Sequence, residues 1–89
     1  MELKEIIIHE FLNFKKEEGK KNSKHLTKIN EIIKEWLGLY SLPLNNIDLK
    51  ILQEKREFIK SIVNMIDIKA IKETYNLYWD VESQEFLFE

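Results

Sequence analysis

The stretch "LKEIIIHEFLNFKKEEGKKNSKHLTKINEIIKEWLG", Leu3 to Gly38, decides the fold class. Leu3, Ile7, Phe11 and Phe14 recur at steps of four, four and three, and Ile8 and Leu12 widen the stripe. That is the period of a helix with one apolar face, and it predicts a first helix over Leu3 to Glu18. Gly19 follows it, the residue type best suited to the left-handed position past a helix end. The polar run "GKKNSK" then supplies Asn22 or Ser23 as the cap of a second helix. Leu26, Ile29, Ile33, Trp36 and Leu37 form its stripe, and Gly38 stops it. The chain has only 2 Gly, and both fall at predicted helix ends.

Downstream, the single Pro lies in "LYSLPLNNID", Leu39 to Asp48, where Pro43 and the Asn45-Asn46 pair mark a connector. Leu39, Tyr40, Leu42 and Leu44 make it apolar enough to drape over a bundle. A third helix starts near Asn46 or Asp48 and sets Ile51, Leu52, Phe58, Ile59, Ile62, Val63 and Ile66 in helical register. Asp67 is the expected cap of a fourth, with Ile68, Ile71, Tyr75, Tyr78 and Trp79 facing inward. Only Asn64 and Asp67 argue for a break between the two, and one bent rod is the alternative. After Trp79 the period shortens: "YWDV", then "ES", then "QEFLFE" alternates as a short hairpin does, with Phe86 and Phe88 on one face and Leu87 on the other. A lone two-stranded hairpin is marginal in water, so it must dock on the helices or on a partner. The expected architecture is all-α: a bundle of three to four helices over residues 1–79, with an aromatic-acidic extension over residues 80–89.

Composition narrows the function. A chain of 89 residues is one domain, and 44% hydrophobic residues, including thirteen Ile and eleven Leu, can fill its core. There is no Cys, which removes disulfides, thiolate chemistry and cysteine zinc sites and fits a reducing compartment. No apolar run exceeds three residues, against the roughly 20 a membrane helix needs. The start, "MELKEIIIHE", places acids where a signal peptide carries bases. A cytoplasmic protein without a membrane segment is expected.

Net charge is −2, and it is unevenly spread. Lys15 to Lys34 holds seven Lys against Glu17, Glu18 and Glu31, a local +4. Asp80 to Glu89 holds four acids and no base, a local −4. Lys15, Lys16, Lys20, Lys21, Lys24 and Lys28 suit non-specific contact with phosphates. Glu17 and Glu18 interrupt that patch, and no aromatic residue is interleaved to stack on bases.

Catalytic patterns are absent. "HEFLN", His9 to Asn13, has Asn where a zinc-protease helix needs its second His. "DLK" at Asp48 and "DIK" at Asp67 echo half of a nuclease site, yet they fall at helix starts, where a capping Asp is expected. Ser23, Ser41, Ser61 and Ser83 sit in no nucleophile elbow, and no glycine-rich phosphate loop exists. No metal, cofactor or small-molecule substrate is implied.

The order helix, Gly-containing turn, Trp-Leu helix end and Pro-containing connector, Glu10 to Leu52, resembles in layout the N-terminal DNA-clasping domain of tyrosine recombinases. The second helix is shorter than in that pattern, and its Thr and Tyr positions are not matched. The resemblance therefore implies a helical layout and no site residue.

These readings lead to a non-catalytic protein-protein interaction module, an adaptor, inhibitor or immunity-type factor. Its partner is another protein or a second copy of itself. Trp79, Phe86 and Phe88, rimmed by Glu82 and Glu85, form the candidate contact. The alternative is a nucleic-acid-binding module acting through the Lys15 to Lys28 patch.

Overall fold

The computed structural model describes residues 2–39 and 49–89. Among them the elements run α1 (Leu3–Lys16), α2 (Lys24–Leu37), α3 (Leu49–Val63), α4 (Ile66–Tyr75), β1 (Leu77–Asp80) and β2 (Glu85–Phe88). The architecture is the expected small all-α bundle, and the extension is the second strand of an antiparallel hairpin that begins at Leu77, within the segment expected to be helical. Tyr40, Leu42 and Leu44, and the expected start of the third helix at Asn46 or Asp48, lie outside the described residues.

Helix α1 ends two residues sooner than expected, and Glu18 rather than Gly19 takes the first left-handed position, at φ 60°. The Glu18 N–H donates to the Lys15 carbonyl at 2.9 Å and the Gly19 N–H to the Phe14 carbonyl at 3.0 Å, which satisfies the last carbonyls of the helix. Gly19 follows at φ 66°, and the Tyr75 ring occupies the space a Cβ would need. The turn is thereby fitted to the far end of α4. Ser23 caps α2 by accepting from the His25 N–H at 3.2 Å, and Gly38 ends it at φ 80°.

Between α3 and α4 the break is real, but Asp67 does not cap α4. Met65 is the extended residue before that helix, and Asp67 sits in the first turn, where its charge faces the positive end of the helix dipole. In the register expected of the third helix Ile51, Phe58 and Ile66 are exposed, the last at 85%, and so is Leu12, expected to widen the stripe of α1. The buried stripe of α3 runs through Leu52 and Ile59, and their neighbours Ile51 and Phe58 lie about 100° round the helix from it. Phe58 rests against Trp36, ring centroids 5.5 Å apart.

Helix α4 also stops early. Asn76 adopts φ 58°, ψ 45°, a left-handed conformation that Asn tolerates better than most residues. From Leu77 on, the period is two. Tyr78 and Trp79, expected on the inner face of a helix, are strand residues, with Tyr78 exposed and Trp79 half-buried. Leu77, absent from the helical reading of the core, is buried.

Register pairs Leu77 with Phe88 and Trp79 with Phe86, so the four share one face of the hairpin. That face closes the bundle. Phe86 is 1% exposed, meeting Phe11 edge-on at 4.9 Å and Trp79 at 4.8 Å, while Phe88 lies 6.3 Å from Phe14. Asn30 on α2 fixes the strand from the side: its Oδ1 accepts from the Phe86 N–H at 2.7 Å, and its Nδ2 donates to the Phe86 carbonyl at 3.0 Å. Lys34 adds an ion pair with Glu85 at 2.7 Å.

Candidate functional site

Polar groups gather at the seam of α1 and α2. Glu10 is buried, 6% exposed, at the edge of the inner stripe, three residues from Ile7 and four from Phe14. Its carboxylate meets His25 Nδ1 at 2.6 Å and Lys28 Nζ at 3.3 Å. His25 Nε2 faces Glu17 at 3.1 Å, so both ring nitrogens point at carboxylates. Burial alone would raise the Glu10 carboxyl; the His25 and Lys28 hydrogen bonds and charges outweigh it and hold the group below its ordinary range. Ser23 Oγ donates to Glu17 at 3.1 Å and not to the imidazole, so the seam lacks the hydroxyl-to-base contact of a nucleophilic site. His9 is exposed and takes no part. Among the described residues, no three His, Asp or Glu are placed to hold a metal ion.

The basic patch is an exposed surface. Lys15, Lys16, Lys20, Lys21 and Lys24 are exposed, and Lys28 is exposed but paired with Glu10. Tyr75, distant in sequence, lies beside it: its hydroxyl approaches the Lys15 carbonyl at 3.5 Å and its ring covers Gly19. No local pattern could have placed that aromatic here.

The tail residues separate. Phe86 is core; Phe88 and Trp79 are half-buried; Glu85 is held by Lys34; Glu82 is exposed on the hairpin turn. That turn is tied by Asp80, whose carboxylate accepts from the Ser83 hydroxyl and N–H, contacts that hold the Asp80 carboxyl below its ordinary range. Val81 at the turn is 70% exposed.

One concavity stands out, a groove of about 910 Å³ between α3, α4 and β1. Arg56 and Lys60 line it from α3, Lys69 and Lys72 from α4, and Tyr78, Trp79 and Val81 from the hairpin; Glu57 and Glu73 share the helical walls, and Glu89 lines it beyond β2. Among the described residues, none of the four cations forms an ion pair. Partial burial, and then the charge of Lys69, lower the Lys72 ammonium below the usual lysine range, with Glu73 opposing them. The sequence carried a signal for this site: Arg56 and Lys60 are four apart, Lys69 and Lys72 three apart, so each pair shares a helix face. That the two faces meet across one groove is a tertiary fact.

Strand β1 supplies the last wall. Residues of an antiparallel strand alternate between turning their N–H and C=O toward the paired strand and away from it. Asn30 holds both backbone groups of Phe86, so these point away from β1. Trp79, paired opposite Phe86, therefore points its own N–H and C=O away from β2, and neither has a partner among the described residues. Family models, curated proteins and solved structures returned no significant match to this chain.

Proposed function

We propose that the protein is a non-catalytic protein-interaction module whose contact surface is the groove between α3, α4 and β1. One observation carries the reading: four cations without ion pairs among the described residues and three exposed or half-exposed apolar side chains line a single concavity. Aromatic anchors flanked by charge are what protein interfaces concentrate. In this reading Trp79 contacts the partner, whereas Phe86 and Phe88 hold the wall that presents it. No helix among the described residues is long and apolar enough to cross a membrane, and the Cys-free sequence suits a reducing cytoplasm. The partner is another protein, or a second copy of the chain.

The test is affinity capture from the native cell, comparing wild type with the Lys69→Glu, Lys72→Glu double variant and with a control, Lys4→Glu, outside the groove. Wild type and control should retain a partner that the double variant loses. An unchanged set of captured proteins would refute the groove as the contact surface.

A second reading is nucleic-acid binding through Lys15, Lys16, Lys20, Lys21, Lys24 and Lys28, favoured by Tyr75 beside the patch. It requires association that weakens steeply with salt and on Lys20→Glu plus Lys24→Glu. No DNA or RNA association at low salt would remove it.

A further inference from the structure

We propose, resting on the groove as the contact surface, that its occupant is an extended acidic segment of a partner protein, which adds as a third strand to the free edge of β1. The hairpin has two edges, and among the described residues only that of β1 is open. On β2 the Asn30 side chain already occupies the outward N–H and C=O of Phe86, much as a neighbouring strand would. On β1 the matching groups of Trp79 are unpartnered among the described residues, and the strand borders the groove. An open strand edge is a template for pairing, and peptide recognition by strand addition draws its affinity from such main-chain bonds.

Charge sets the composition of that strand. Lys69 and Lys72 line the helical wall opposite β1, and partial burial of Lys72 leaves its charge poorly solvated until an anion arrives. Glu57, Glu73 and Glu89 in the same lining disfavour a continuous polyanion, so the fitting ligand spaces its carboxylates to meet the cations. An extended strand does this by itself, sending side chains to one side about every 6.7 Å. The intervening apolar residues of an alternating sequence can rest on Tyr78 and Val81, both exposed at the rim. A second copy fits less well: pairing β1 with its equivalent across a two-fold axis sets the same four cations against themselves.

The probe is a capped nine-residue peptide of alternating Glu and Val, titrated into isotope-labelled protein, with an alternating Lys and Val peptide as control. Saturable shifts should appear at Leu77 to Val81 and along the groove faces of α3 and α4, with slowed exchange of the Trp79 amide. Lys69→Glu with Lys72→Glu, the first exposed and the second half-buried, checked for native circular dichroism, should weaken binding about tenfold, the scale of two modest ion pairs. The Lys and Val peptide should not bind. A Glu and Val peptide N-methylated at alternate residues keeps its charge but loses strand hydrogen bonds, and it should bind far more weakly. Equal binding of the methylated peptide would overturn strand addition while leaving the groove as a contact surface. Equal binding of the Lys peptide would overturn the acidic occupant. No shifts at all would overturn the proposal, whereas a partner lost on groove substitution in the capture experiment would still support the surface. Slowed Trp79 exchange in concentrated protein alone, with dimeric sedimentation, would make the occupant a second copy and overturn it too.

Discussion

Asn30 is the side chain on which the hairpin's placement most visibly turns, and Asn30→Ala isolates its contribution. The substitution removes two hydrogen bonds, of 2.7 and 3.0 Å, to the backbone of a residue that is 1% exposed. Each is worth about 1 kcal/mol net, and leaving the Phe86 N–H and C=O unsatisfied raises the loss toward roughly 2–4 kcal/mol in all. Ala is the better helix former at this position inside α2 by roughly 0.6 kcal/mol, which offsets part of it. The expected net loss is therefore about 1.5–3.5 kcal/mol. A domain of this length has about 4–13 kcal/mol in total, so the melting temperature should fall by roughly 10–20 °C. Urea unfolding followed by tryptophan fluorescence measures it, since Trp79 packs on Phe86 and reports on the hairpin. Asn30→Asp is the companion variant: it keeps an acceptor for the Phe86 N–H but sets a carboxylate against the Phe86 carbonyl, and it should be no better than Ala. A loss below about 0.5 kcal/mol for both, at unchanged denaturant slope, would refute the idea that Asn30 stands in for a neighbouring strand.

Other perturbations have distinct expected outcomes. Gly19→Ala should cost more than Gly38→Ala: both force a left-handed alanine, about 1 kcal/mol, but only at Gly19 does the new Cβ meet the Tyr75 ring. Equal losses in urea unfolding would contradict that packing. Phe86→Ala should cost about 3–5 kcal/mol and leave a partly unfolded protein by circular dichroism, as expected for a buried aromatic. The Glu10 carboxyl lies below its ordinary value when folded, so its contribution is present above about pH 4.3 and is lost as pH falls through the lower folded value. Glu10→Gln should be less stable than wild type at pH 7, with a flatter decline below pH 4; parallel stability curves would show that the seam does not hold α1 to α2.

Much of this fold could be read from spacing alone, because apolar side chains at helical steps have to face one core. The stripes of Ile7, Phe11 and Phe14 and of Leu26, Ile29 and Ile33 are where the sequence puts them, and Ser23 and Gly38 bound their helix as their chemistry requires. The failures have physical causes. Tyr78 and Trp79 continue the helical spacing of Tyr75 by coincidence, and the left-handed Asn76 that breaks it is conformationally ambiguous in sequence. Phe86 gave no sign in its acidic surroundings that α1 supplied its apolar contact through Phe11. The groove was invisible for a similar reason: which helix faces oppose each other depends on packing, and which strand edge stays open depends on a single Asn from another element.

Amide hydrogen exchange of the free protein, read residue by residue, tests that last point most directly. Phe86 and Trp79 face each other in register, yet one amide is held by Asn30 and the other has no partner among the described residues. The Phe86 amide should exchange only on unfolding, at a rate near that of the helical core, while the Trp79 amide should exchange orders of magnitude faster. A protected Trp79 amide, or a Phe86 amide as fast as its neighbour across the hairpin, would contradict the open edge of β1 and the groove built on it.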